Sequence, residues 1–291
     1  MIEIRTGSDS DIPKIKAAHE TLTALGVPFQ ERVLSAHRTP QLMADEARRL
    51  EGKGFKVSIA AAGGAAHLPG MTASETLLPV IGIPVPTQAL GGLDSLYSIA
   101  QMPEGCPVGC VGVGQAEAAA LLAAQILALD DPDLMRRVRQ RKGLPPGATP
   151  PKSLQVGLLG LKPPAELLDL LQRFGLTPRE ATSPAGPERD GVCALIAICD
   201  KTNLDLPSSL AARTHLPVIA LPLLQERFDP FEAMLGTSPL AGMGINRPKN
   251  AAIYAAMIAG RREPLREYRE SLRRESEAKD AKLTSSGTRR P

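Results

Sequence analysis

A chain of 291 residues is long enough for one or two domains, each with a core of its own. Its 43% hydrophobic and 22% charged residues are ordinary for a globular protein; a net charge of +3 offers no basic field for nucleic acid, and 3% aromatics leave little for base stacking. The longest apolar runs, such as residues 192–199, are far too short to span a bilayer.

Met1 leads straight into the strand-like "IEIR" without a signal-peptide pattern, which predicts a cytoplasmic protein. "MIEIRT" reads as a strand. Residues 12–25 read as a helix with Ile15, Ala18, Leu22 and Leu25 on one face and Gly26 as its stop. "VPFQERVLS" is a strand, and "TPQLMADEARRL" a helix opened by Thr39 and Pro40 as cap and first-turn pair. "FKVSIAAA", "PVIGIPV" and "PVGCVGVG" are further short strands, and residues 115–129 an alanine-leucine helix. Such alternation predicts a three-layer α/β fold, a flavodoxin- or Rossmann-like parallel sheet covered on both faces. Ligands of such sheets sit beyond the carboxyl ends of the strands. "TGSDSD", "SAHRTP" and "AAGGAAHLPG" each follow a strand and precede a helix, so the three loops are expected to share one edge.

Residues 142–152, "KGLPPGATPPK", read as a linker closing a first domain at 1–141. The next stretch repeats the first half. "THLPVIALP" echoes "TLLPVIGIP" at the interval from Thr76 to Thr214, 138 residues; Met234 and Pro239 follow Met102 and Pro107 at 132. This is the signature of a tandem duplication, with a degenerate copy at 153–262. Its loops have lost their chemistry: "GGAAHLPG" has become "KTNLDLPS", which sets Asp205 where His67 stood. Residues 263–291 read as a charged helix and a disordered tail. Cys106, Cys110, Cys193 and Cys199 lie in or beside apolar runs without the spacing or histidine partners of a zinc site, and read as free thiols of a reducing compartment.

Taken alone, each loop has a plain reading and a functional one. In "GSDSD", Ser8 and Ser10 with nearby backbone N–H groups can cradle a phosphate and Asp11 can accept from a ribose diol; equally, Asp11 or Ser10 can merely cap a helix. Arg38 in "SAHRTP" is a natural phosphate partner, while His37 can touch substrate or tie down its loop. Gly63, Gly64, Ala65 and Ala66 allow close backbone approach, so a planar ligand can lie flat with His67 at its edge, where an imidazole exchanges protons near neutral pH.

Together, "GSDSD", "SAHRTP", "GAAHLPGMTA" and "DSLYSIAQMPEGCPVG" closely resemble the N5-carboxyaminoimidazole ribonucleotide mutase family of purine biosynthesis, over roughly residues 1–130. The resemblance implies an isomerase moving a carboxyl group from an exocyclic nitrogen to ring carbon C4, with neither metal nor organic cofactor. It implies His67 as general acid–base with His37 beside it; Ser8, Ser10 and Arg38 on the 5′-phosphate; Asp11 on the ribose; Ser35 lining the site; and the backbone of Gly63, Gly64 and Ala65 near the carboxylate. It also implies a homo-oligomer of cytoplasmic chains, here a tetramer of two-domain chains in place of an octamer, with a small-molecule ribonucleotide as partner and neither nucleic acid nor membrane. The alternatives are a carboxylase taking carbon dioxide directly, from which the intact "GGAAHLPG" argues away, a pyridinium carboxylase of the same fold, and a non-catalytic nucleotide-binding scaffold. Two departures stand out: Ile12 replaces an aromatic residue, and the family's "GxAGAxNAA" is shortened to "GQAEAAA", while the second copy keeps an asparagine, Asn250, in "INRPKNAA".

Overall fold

The computed structural model describes residues 1–88, 90–146, 153–180, 191–224 and 230–285. The first half runs β1 (Ile2–Thr6), α1 (Lys16–Ala24), β2 (Phe29–Val33), α2 (Pro40–Arg48), β3 (Val57–Gly63), α3 (His67–Glu75), β4 (Val80–Val85), α4 (Leu93–Ala100), β5 (Gly109–Cys110), α5 (Ala116–Ala128) and α6 (Pro132–Arg141). The second runs β6 (Gln155–Gly160), α7 (Ala165–Arg173), β7 (Thr177–Glu180), β8 (Ala194–Cys199), α8 (Leu206–Arg213), β9 (Val218–Pro222), α9 (Pro230–Leu235), β10 (Leu240–Gly242), α10 (Pro248–Ile258) and α11 (Arg262–Ser285). β1, β4, β8 and β9 are buried along their whole length, as parallel strands covered on both faces must be.

All ten strands form one sheet in the order β2-β1-β3-β4-β5-β10-β9-β8-β6-β7. Neighbours are parallel except β5 and β10, which meet antiparallel with Cys110 opposite Gly242. Counted outward from this seam, the two halves have the same strand order, which fits a tandem duplication. The seam makes the correspondence concrete: Gly242 follows Cys110 by the same 132 residues that separate Met234 from Met102, so each residue faces its own counterpart, as at a two-fold axis. Helices cover both faces: α1 packs on α5 and α7 on α10 in one layer, while α2, α3 and α4 pack side by side in the other. The α/β class and layered parallel sheet expected from the alternation are those observed.

Local details repeat as well. Thr76 ends α3 and Thr214 ends α8, each in extended backbone, and their hydroxyls accept from the N–H two residues on, Leu78 at 3.2 Å and Leu216 at 3.1 Å. Gly114 has φ +70°, and its counterpart Asn246 has φ +56°, a region asparagine enters more readily than most residues; here its amide is held by the N–H and C=O of Leu224 on another loop.

Five elements depart from the sequence expectation. The helix expected over 12–25 is α-helical only from Lys16; Asp9–Ile15 is a 3-10 helix with Pro13 inside it, although Ile15, Ala18, Leu22 and Leu25 are all buried as the periodicity requires. "PVGCVGVG" contributes only two strand residues. Thr39 opens α2 without capping it, because its hydroxyl is engaged with the backbone of Ser35. α4 and α6 were not anticipated as separate helices. Of the linker and tail, residues 147–152 and 286–291 lie outside the described residues, and Thr284 and Ser285 close α11.

Candidate active site

The loops after β1, β2 and β3 come together at one edge of the sheet around an open cavity of about 360 Å³. Ser8, Asp11, Ser35, His37, Arg38, Gly63, Ala65 and His67 line it, whereas Ser10 and Gly64, also expected there, do not. Ser8 is extended and caps the 3-10 helix itself: its Oγ accepts from Ser10 N at 3.3 Å and from Ser10 Oγ at 2.9 Å. The cap is therefore Ser8, and neither Ser10 nor Asp11. Asp11 holds Lys14 at 3.0 Å on the next turn.

The second loop is tied by its own hydroxyls. Ser35 Oγ accepts from Arg38 N at 3.1 Å, and Thr39 Oγ1 accepts from Ser35 N and donates to Ser35 O. Arg38 then reaches the first loop, donating from Nη2 to Gly7 O at 3.2 Å, so its guanidinium lies across the mouth between the serine turn and the histidines.

His67 is the first residue of α3. Its Nδ1 lies 2.9 Å from Nε2 of His37, with the rings edge to face at 68°. At that separation one nitrogen donates and the other accepts, so the two rings share a proton between loops. The contact leaves Nε2 of His67 as the nitrogen available to a ligand. Both histidines are exposed in the isolated chain.

Behind the glycine-alanine loop stands a residue the sequence reading passed over. Gly64, at φ +65°, donates its N–H to Ser95 Oγ at 2.8 Å, and that hydroxyl donates to Val85 O at 2.9 Å. Ser95 is fully buried in α4 and locks the loop to β4. Its signal was the "DS" of "DSLYS", a polar pair at the start of an apolar helix. A second surprise lies under α3. Arg5 Nε donates to Glu3 Oε2 at 2.7 Å, Arg5 Nη1 to Thr72 Oγ1 at 3.1 Å, and Ser58 Oγ to Glu3 Oε2 at 3.2 Å, all out of solvent. Burial pushes the Glu3 carboxyl up and the Arg5 guanidinium down from their ordinary values. In the second half, matching register puts Gly157, Leu159 and Leu195 in place of Glu3, Arg5 and Ser58, and the 138-residue interval puts Leu210 in place of Thr72. The same packing therefore exists in this chain without the charges.

Among the described residues no group of three or more His, Cys, Asp and Glu side chains is placed to hold a metal ion. No helix among them is long and apolar enough to cross a membrane. All four cysteines are unpaired.

The sequence profile of the family described as AIR carboxylase matches residues 1–144 and 178–282, most of the chain. The chain belongs to this family. Among its relatives is the N5-carboxyaminoimidazole ribonucleotide mutase of Vibrio cholerae, 54% identical over 139 residues, which are 47% of this chain and 86% of that one. The proteins of the same name from Thermotoga maritima and Bacillus subtilis are 51% and 52% identical over 141 and 144 residues, covering 48% and 49% of this chain and 82% and 89% of theirs. The solved structure of Treponema denticola PurE aligns with 49% of this chain and 89% of its own at 28% identity and a TM-score of 0.46. Each of these relatives takes in about half of this AIR carboxylase family chain, whereas the family profile reaches into both halves.

Proposed function

We propose that the first half converts N5-carboxyaminoimidazole ribonucleotide to 4-carboxy-5-aminoimidazole ribonucleotide. The observation that carries this reading is the His37–His67 contact beside a cavity lined by Ser8, Asp11 and Arg38. The mutases at 51–54% identity support it. In the reading, Ser8, Ser10 and Arg38 take the phosphate, Asp11 the ribose hydroxyls, and the backbone of Gly63, Gly64 and Ala65 approaches the carboxylate, with Ser35 holding the Arg38 loop in shape.

The proton balance needs one acid–base group. The bond from the exocyclic nitrogen to the carboxyl carbon breaks, its electron pair stays on nitrogen, and the nitrogen takes a proton. C4 then attacks the released carbon dioxide, and loss of the C4 proton restores the aromatic ring. His67 gives the first proton and takes back the second, so the enzyme ends as it began; His37 holds the ring and shares its charge. Recapture must outrun escape of carbon dioxide, which calls for a closed, dry site. The histidines of a single chain are exposed, so the reading includes cover from neighbouring chains: a tetramer of tandem chains, with four catalytic and four degenerate domains. Four unpaired thiols fit a reducing cytoplasm. Mixing the purified chain with N5-carboxyaminoimidazole ribonucleotide should give the absorbance change of the C4-carboxylated product. Formation of that product only from the decarboxylated nucleotide and carbon dioxide would replace the mutase by the carboxylase.

A further inference from the structure

The loop between α4 and β5 belongs to the half with the histidines, yet it is held from the other half. Asn250, on α10 and 3% exposed, accepts from Gly105 N at 3.2 Å through Oδ1 and donates through Nδ2 to Met102 O at 3.1 Å and Pro103 O at 3.0 Å. Lys249, its neighbour, pairs with Glu104 at 3.0 Å, and Tyr268 of α11 donates to the same carboxylate. The Met102 side chain in turn lies flat on α3: a β-carbon on Gly70, one turn beyond His67, would fall 2.7 Å from its Cε and 2.8 Å from its Sδ. An unbroken line of contacts thus runs from Asn250 through Met102 to the helix that starts at His67.

One other kind of contact between the halves, the cap on a helix end, is reciprocal. Arg269 of α11 donates to Ala73 O and Thr76 O at the end of α3; Lys142, just past α6, donates to Ala211 O at the end of α8, and Ala211 follows Ala73 by 138 residues. These caps serve both halves alike and belong to the fold. The asparagine contact is one-sided. The residue 132 before Asn250 is Ala118, which has only a methyl group to offer, and the loop facing it has lost the "QMPEG" sequence. The amide survives in the one direction that serves the half with His37 and His67.

We propose that Asn250 is a positioning residue: from the half without the histidines it fixes the height of α3 and so holds His67 against His37 for proton transfer. The inference rests on the acid–base role proposed above for His67. In the full chain, Asn250→Ala should lower kcat about tenfold or more while KM stays within about twofold, since misplacing a reacting group costs turnover more than binding. It should also move the NMR titration signals of His37 and His67 and leave those of His19 and His215 in place. Lys142→Met, which loosens α8 instead, should lower the melting temperature and leave the signals of His37 and His67 alone. Should Asn250→Ala not fold, Asn250→Asp keeps the shape without the two donors and is read in the same way. Unchanged kcat and histidine signals, a loss of activity no larger than the loss of folded protein, or equal movement of the His37 and His67 signals by Lys142→Met would each overturn the proposal. The signals need no turnover. A wild-type chain that leaves the substrate untouched, with histidines that still respond to Asn250→Ala, would overturn the reaction and uphold the positioning.

Discussion

Nδ1 of His67 lies 2.9 Å from Nε2 of His37, on loops that follow two strands separated in the sheet by β1. The contact permits a clean test. His67→Asn keeps a hydrogen-bonding group against His37 and removes the base, so turnover should fall by about 10²–10⁴-fold while nucleotide binding persists. Single-turnover kinetics beside calorimetric titration with the product separate the two effects. Near-normal turnover would remove His67 from the chemistry.

Arg38 spans the mouth from its loop to Gly7 O. Arg38→Ala should raise KM about 30-fold, the scale for losing a charge-assisted hydrogen bond to an anion, with a smaller change in kcat. Arg38→Lys should recover part of the loss, because the charge returns without the planar fork. An unchanged KM would place the phosphate elsewhere.

Arg5 and Glu3 are buried together, and the second half shows that leucine and glycine fill the same space. Arg5→Leu alone leaves an unpaired carboxyl in the core and should cost about 3–5 kcal/mol of stability, whereas Arg5→Leu with Glu3→Ala should recover much of it. Denaturant unfolding measures both. The deficit of the single variant should shrink as pH falls: Glu3 already titrates above its ordinary value, and without Arg5 it rises further. Stability is then full below the ordinary carboxylate range, where the group is neutral in both states, and is lost as pH climbs through the folded value. A deficit independent of pH would mean that Glu3 is not the buried charge responsible.

Residues 1–145 expressed alone should aggregate or lose activity, because the cut uncovers the β5 edge at Cys110, takes Asn250 from the Met102 loop and takes Arg269 from the end of α3. Light scattering and turnover decide it. A soluble, fully active assembly of the fragment would make the second half a passenger.

Most of this architecture is written locally. The runs at 57–63 and 80–85 are apolar on both faces and become central parallel strands, and eight of the ten expected site residues line one cavity because strand–loop–helix order alone brings their loops to one edge. What was not legible depends on distant partners. "IEIR" alternates like a half-exposed strand, yet Glu3 and Arg5 are buried because Ser58 and Thr72, 55 and 67 residues away, meet them there. "PVGCVGVG" reads as a strand, but how short β5 is depends on its pairing with β4 and β10 at only two residues. Asn250 stands out in the sequence and Ser95 belongs to a polar pair, but what each does is set by the distant backbones they touch.

The Cys110–Gly242 seam also sets a timetable. During synthesis the outer edge of β5 emerges 132 residues ahead of the strand that will close it, an interval of roughly ten seconds at ribosomal speed. Through that interval the first half carries an unpaired edge, and the β10 of another, finished chain fits it as well as its own would. Crowded translation of this message therefore favours exchanged pairs, in which one chain's first half is closed by another's second half, and slowing initiation rather than elongation should reduce them.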